Sequence, residues 1–232
     1  MNIIKAAETA AASQSLVDLN EIYENLPQGT CVGCAACCSE SVNVSFLEFS
    51  NIIVNGLPKL DETVKEQLRK NVFSYYLLEW VKPQKCPFLN RDKKCLIYET
   101  RPLPCRVFGF SKEIDYEANY QSIYHQNLKL ALSLKEEDLL LPVSVVRKKI
   151  PYCRDFIPEF RLTKHKIETL YSKLINLDGQ LYFQDLIDDS VMNSDLVGLM
   201  VDYYLEEAET QVLDKSTCFD IKQACLSHIQ RL

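Results

Sequence analysis

The chain has few glycines and lacks the glycine-rich loops that bind phosphate groups. Only six of its 232 residues are glycine, at positions 29, 33, 56, 109, 179 and 198. Their spacing forms neither a P-loop nor a GxGxxG dinucleotide or methyl-donor loop. The scarcity therefore argues against nucleotide-dependent chemistry of those kinds.

Histidine and the usual catalytic motifs are also scarce. The three histidines, His125, His165 and His228, show no HxxxH or HExxH spacing, so we expect surface or core residues rather than metal ligands. No GxSxG elbow is present. The radical S-adenosylmethionine spacing CxxxCxxC also fails, because the residue after Cys34 and Cys38 in that register is Ser41. These patterns identify no catalytic residue.

The chain lacks an excess of positive charge and any long apolar run. Its net charge is -6 and its pI is near 5.2, which argues against a nucleic-acid groove. No stretch approaches the roughly 18 apolar residues of a membrane span, and no apolar segment precedes a cleavage site. We therefore expect a soluble cytoplasmic protein with neither nucleic acid nor membrane as partner. Short basic runs such as residues 147–149 are expected to be solvated.

Cysteine, in contrast, is abundant: ten residues, seven of them in two tight clusters. A CxxC step lets a short turn aim two sulfurs at one ion while backbone amides point at the sulfurs. In a reducing compartment such thiols persist and bind zinc, copper(I) or iron–sulfur clusters. The pattern predicts a thiolate metal site at Cys31, Cys34, Cys37, Cys38, Cys86, Cys95 and Cys105.

The three remaining cysteines fall into two classes. Cys153 lies in a turn-like segment and would raise the ligand count to eight, which suits two four-coordinate sites or one larger cluster. Its alternative role is that of a small buried apolar residue. Cys218 and Cys225 lie seven residues apart on one face of a predicted helix, where we expect them to pack as core residues.

Most of the chain is patterned as α-helix. Apolar residues recur every fourth position in a helix predicted from Asp61 to about Trp80. A second helix is predicted over 115–134, with a tyrosine-rich stripe that we expect to be core. Further helices are predicted over 165–176, 181–189, 195–213 and 218–230, with breaks at 178–179 and 193–195.

Residues 83–112 differ, because they hold four of the nine prolines among short segments. We expect a small β-hairpin with Cys86 and Cys95 at its ends. The predicted fold is therefore mainly α with a small irregular cysteine-rich β-hairpin region. Its parts are an N-terminal helical extension (1–29), a cysteine-cluster metal-binding domain (30–160) and a helical C-terminal region packed on it (161–232).

Over residues 30–112 the chain resembles a known family. The segments CVGCAACC, VNVSFLEFSNII and CPFLNRDKKCLIYETRPLPCRVFGF are similar to the YkgJ-type CxxCxxCC cysteine-cluster proteins, which are described as zinc- or iron-chelating. The resemblance implies metal or iron–sulfur binding by the seven clustered cysteines, with Arg101, Pro102 and Arg106 as motif residues. Members include proteins similar to flagellin lysine N-methylase, which implies that activity as one alternative.

The spacing favours iron–sulfur over zinc. Three cysteines in a CxxCxxC frame, with a remote fourth and a nearby proline, follow bacterial ferredoxin ligation, whereas zinc sites more often pair one CxxC with another. Four thiolates on zinc or on [4Fe–4S]²⁺ leave about two negative charges, so Arg101 and Arg106 suit either group as cofactor-binding residues. We expect a [4Fe–4S] cluster in a redox, accessory or protein-modifying role, with another protein as partner. The alternative is structural zinc beside a helical partner-binding module.

The adjacent Cys37 and Cys38 carry one further expectation. Successive side chains diverge in a strand and stand about 100° apart in a helix. We therefore expect the two sulfurs to point apart and to serve different metal sites or different irons. The CxxCxxC frame assigns Cys31, Cys34 and Cys37 to one centre, which leaves Cys38 to join Cys86, Cys95 or Cys105 across the fold. The alternative is that Cys38 is an idle buried thiol.

Overall fold

The computed structural model describes residues 2–192, 194–208 and 214–229. Within these ranges the fold is mainly α, as predicted. The α-helices are α1 (Ile3–Ala11), α2 (Gln14–Glu24), α3 (Phe46–Asn51), α4 (Glu62–Leu78), α5 (Leu103–Val107), α6 (Glu113–Glu136), α7 (Val143–Val146), α8 (Lys164–Phe183), α9 (Leu196–Glu207) and α10 (Lys215–Ile229). Strands β1 (Gly29–Thr30) and β2 (Ile157–Pro158) pair antiparallel. None of the described helices combines the length and the apolar character that crossing a membrane requires.

The short helix α3 lies at the centre of the main apolar core. All six of its residues are buried, and it packs against α1, α2 and α8. Ser45 begins the helix with a capping box, since its hydroxyl accepts from the Glu48 amide while the Glu48 carboxylate accepts from the Ser45 amide. Asp178, on α8, accepts hydrogen bonds from the amides of Phe46 and Leu47 at 2.8 and 3.1 Å. The core formed around α3 includes side chains from all three predicted parts of the chain.

Helix α4 confirms the periodicity argument, with Asp61 at its N-cap and Leu68 and Val72 fully buried. The predicted break at residues 178–179 is wrong, because α8 continues through them to Phe183. A separate helix over 181–189 is absent from the described chain for the same reason. Asp178 does not end α8, because its carboxylate accepts a hydrogen bond from an amide at the start of α3 and does not compete for its own backbone. Of the later predictions, residues 193, 209–213 and 230 lie outside the described residues.

Helix α6 forms as predicted, but its stripe is not core. Leu134 is the one buried residue among the described residues of this helix. Tyr116, Tyr120 and Tyr124 are half-buried, and Leu128 is 37% exposed. The expectation fails because the main helical neighbour of α6 is the four-residue α7, which is too short to cover it.

The two C-terminal cysteines pack as expected. Cys218 is 1% exposed and belongs to the main core. Cys225 packs against a second, smaller apolar cluster that contains Leu134 and Leu226.

Candidate metal centre

The first cysteine cluster lies on an irregular loop that follows β1. Gly33 and Ala35 both have left-handed backbones, with φ of 72° and 57°, so the chain turns twice before the 3₁₀ turn of Ala36–Cys38. The two adjacent sulfurs of Cys37 and Cys38 are 3.9 Å apart. The expectation that they point apart is wrong, because the tight turn after Ala35 leaves both side chains on one side. Whether they bind different metals stays a prediction.

The second cluster forms a hairpin reduced to one β-bridge, between Leu89 and Cys95. The Leu96 amide donates to the Phe88 carbonyl at 2.8 Å, and the Leu89 amide donates to the Cys86 carbonyl at 3.1 Å. The amides two residues after Cys86 and Cys95 also donate to their sulfurs. Amides directed at thiols in short turns are the arrangement that a metal-binding knuckle needs.

Backbone contacts tie the second cluster to the first. The Cys86 amide donates to the Cys38 carbonyl at 2.9 Å. Cys105 follows in the first turns of α5, after the buried N-cap residue Pro102. The start of α5 is fixed by Glu48, whose carboxylate accepts from the Leu103 amide at 2.5 Å and from the Tyr23 hydroxyl at 2.8 Å. Burial raises the pKa of Glu48 to about 7.

The thiols of this region influence one another. Burial raises the pKa of Cys86 to about 12 and also raises the pKa values of Cys95 and Cys105. The negative charges of Cys86, Cys37 and Cys95 raise the pKa of Cys105 further. A hydrogen bond from Cys38 lowers the pKa of Cys37 to about 7. Five thiols from three chain segments therefore lie within electrostatic reach, and Cys37 is the thiol that ionises most readily among those shifted.

Two of the three nearby cations act on the thiols directly. Arg101 opposes the effect of burial at Cys95 and lowers the pKa of Cys37, and its guanidinium stacks on Tyr98 at 4.0 Å. Arg106 instead forms hydrogen bonds with the backbone. Its Nε donates to the Arg101 carbonyl at 2.7 Å, and a second guanidinium nitrogen donates to the Glu99 carbonyl. The cofactor-binding role of the two arginines stays a prediction.

Lys148 is the cation that sequence reasoning missed. Its side chain is only 15% exposed, so the expectation of a solvated basic run is wrong at this position. Its Nζ donates to the Gln84 carbonyl at 3.0 Å and lies 3.7 Å from the Glu40 carboxylate. Its charge lowers the pKa of Cys86 against the larger effect of burial. No spacing rule relates Lys148 to the cysteines, so no signal in the sequence could have identified it.

The remaining candidate thiols form a second group. Cys34 Sγ lies 3.7 Å from Cys153 Sγ. Burial raises the pKa of Cys153 to about 11, and the Cys34 thiol adds to that shift. Cys31 is exposed and acts electrostatically on both Cys153 and Cys95, so it lies within electrostatic reach of both groups.

The chemistry of these donors fits a thiolate centre. Their positions, however, do not surround a single metal ion. In the part of the chain described, no three cysteine, histidine or acidic side chains surround one point closely enough to hold a metal ion. The three histidines are exposed on α6, α8 and α10. Thiols, directed amides and two cations nonetheless converge in one region, which suits a centre wider than the coordination sphere of one ion.

Comparisons with known proteins agree with this donor chemistry. Residues 30–125 match the model of the CxxCxxCC family, described as "Putative zinc- or iron-chelating domain". Neither the curated proteins nor the solved structures gave a match. Cys153 lies beyond the matched span, and the other seven candidate cysteines lie within it. The family model therefore matches this chain over residues 30–125, less than half of its length, and that span contains both cysteine clusters.

Proposed function

We propose that this chain binds an iron–sulfur cluster of the [4Fe–4S] type. Its ligands are drawn from five thiols: Cys37, Cys38, Cys86, Cys95 and Cys105. The observation that carries the proposal is that these five thiols lie in one region and affect one another electrostatically, while no three of them surround a single point. A [4Fe–4S] cluster takes its four cysteines on four different irons, so it requires thiols distributed around a volume rather than around a point.

The chain's own groups prepare this region for a negatively charged centre. Metal binding needs thiolates, and Cys37 supplies one at little cost near neutral pH because its pKa is about 7. The amides of Phe88 and Ile97 donate to cysteine sulfurs, and Arg101 and Lys148 offset negative charge. When bound, such a cluster supplies one-electron redox chemistry. A redox or accessory role, with another protein as partner, follows as part of the proposal.

Anaerobic purification tests the proposal directly. We expect a brown protein with broad visible absorption, and iron and acid-labile sulfide in equal amounts. Cys105→Ser should lose most of both, whereas the matched control Cys225→Ser, at a cysteine outside the five-thiol group, should retain them. A colourless protein that contains zinc and no sulfide would contradict the proposal.

Structural zinc is the second candidate, and two sulfur–sulfur separations favour it. In a tetrahedral site with Zn–S bonds of about 2.3 Å, neighbouring sulfurs are about 3.8 Å apart. The Cys37–Cys38 and Cys34–Cys153 sulfur separations are 3.9 and 3.7 Å. In this alternative the half-exposed helix α6 is the partner-binding element. The described residues carry no observation that favours the flagellin-type lysine N-methylase alternative.

A further inference from the structure

The sheet β1–β2 joins the first cysteine cluster to a segment beyond the matched domain. Gly29 pairs with Pro158 and Thr30 with Ile157. The pairing is extended by the Glu159 amide, which donates to the Gln28 carbonyl at 2.8 Å. Because β1 ends directly before Cys31 and β2 begins soon after Cys153, the sheet holds these two thiol-bearing segments side by side.

The side chain of Phe156 fixes the position of the Cys153 loop. Its buried ring meets Phe110 edge-on, with centroids 4.7 Å apart. The Phe156 amide donates to the Cys153 sulfur, which repeats the amide-to-thiol contact seen at Cys86 and Cys95. Cys153 is 7% exposed, whereas its neighbour Cys34 lies on the exposed loop. The pair therefore combines a fixed inner thiol with an outer thiol that solutes can reach.

From these contacts we infer that Cys34 and Cys153 bind one metal ion at a second thiolate site, distinct from the five-thiol group. Their sulfur separation of 3.7 Å matches the edge of a thiolate tetrahedron, about 3.8 Å. A disulfide would require about 2.05 Å. The site takes a thiophilic divalent ion of the zinc class. In the described residues no three donors surround one point, so Cys31 is assigned as the third ligand by its place on the same exposed loop.

This assignment deepens the proposed metal-binding function without depending on iron at the first group. Cobalt(II) is the probe, because thiolate-bound cobalt absorbs strongly through sulfur-to-metal charge transfer. The full chain is purified anaerobically, iron is counted, and cobalt(II) is then titrated under reducing conditions. The variants are Cys34→Ser, Cys153→Ser and the double variant, with Cys225→Ser as the matched control.

Each single variant should bind one cobalt ion fewer per chain than the parent protein and the control, with unchanged iron. The double variant should lose no more than either single variant, because both sulfurs belong to one ion. Circular dichroism verifies folding, and Cys34→Ser, on the exposed loop, keeps the test decisive if Cys153→Ser fails to fold.

Three results would overturn the assignment: unchanged cobalt binding in the single variants, additive losses in the double variant, or loss of iron in Cys34→Ser or Cys153→Ser. The last would place the thiol in the first group. An intact cobalt site in a parent protein without iron or sulfide would contradict only the iron–sulfur proposal. The two failures are therefore distinguishable.

Discussion

The carboxylate of Glu48 accepts a 2.5 Å hydrogen bond from the amide of Leu103, two residues before Cys105. Glu48 is fully buried on α3, and the same carboxylate also accepts from the Tyr23 hydroxyl and the Ser45 amide. A core helix therefore sets where α5 begins. The position of Cys105 relative to the other thiols depends on this one buried side chain.

Replacing Glu48 should loosen the second cluster. Glu48→Ala leaves the Leu103 amide and the Tyr23 hydroxyl without an acceptor, and we expect a loss of about 3 kcal/mol in the free energy of unfolding. Glu48→Gln keeps one acceptor oxygen and should lose less. Urea unfolding and metal content per chain measure both effects.

The exposed Glu62 provides the control for this series, since Glu62→Gln should change neither quantity. Equal metal content in Glu48→Ala and the parent would show that Cys105 is positioned without Glu48.

Lys148 and Lys149 are neighbours with different surroundings. Lys148 lies near Cys86 with its side chain 15% exposed, whereas the Lys149 side chain is 46% exposed and pairs with Glu117. Lys148→Ala removes a charge that offsets the thiolates, so metal should be lost faster to a chelator. Lys149→Ala should behave like the parent, because exposed ion pairs contribute little. The rate of metal transfer to the chelator is the measurement, and equal rates in both variants would refute a role for Lys148.

Two glycines offer a contrast in packing. A Cβ at Gly109 would lie 2.4 Å from the Phe156 ring, whereas one at Gly179 meets nothing within 4 Å. Gly109→Ala should therefore cost about 1 to 3 kcal/mol through overpacking. It should also speed alkylation of Cys153, because Phe156 anchors that loop. Gly179→Ala, inside α8, should stabilise by about 0.5 to 1 kcal/mol.

Thermal unfolding, together with mass spectrometry of alkylated Cys153, measures both glycine variants. An unchanged alkylation rate in Gly109→Ala would mean that the ring does not hold the Cys153 loop.

Asp178 should make stability depend on pH. Burial raises its pKa from 3.8 to about 6 although two amides donate to it. Because the folded pKa lies above the unfolded one, the fold favours the protonated acid. Its stabilising contribution is complete below about pH 4 and falls as the pH rises toward 6, by up to about 3 kcal/mol.

Urea unfolding at several pH values tests this titration. The difference in unfolding free energy between the parent and Asp178→Asn should shrink from pH 4 to pH 7 and stay constant above. Asp189→Asn, at an exposed position, is the matched control for the loss of one negative charge. A constant difference for Asp178→Asn would show that Asp178 does not titrate in this range.

The sequence by itself determined the features that depend on short-range pattern. The period of α4, its start directly after Asp61 and the turn that presents Cys86 and Cys95 all follow from local spacing, and the structure has them. The cysteine spacing and its neighbouring motif residues likewise carried the resemblance to the CxxCxxCC proteins, whose family model matches residues 30–125. Each of these depends on residues a few positions apart, whose geometry the backbone alone restricts.

Tertiary structure decided what depends on residues distant in the chain. It brought Cys153 to Cys34 and Lys148 to Cys86, and it made Asp178 a cap for α3 rather than the end of α8. It also left α6 half-exposed, although the spacing of its tyrosine-rich stripe predicts a buried face. Burial depends on how the whole chain packs. A local sequence pattern therefore does not show which distant residues will cover a helix face, shield a lysine or accept a hydrogen bond.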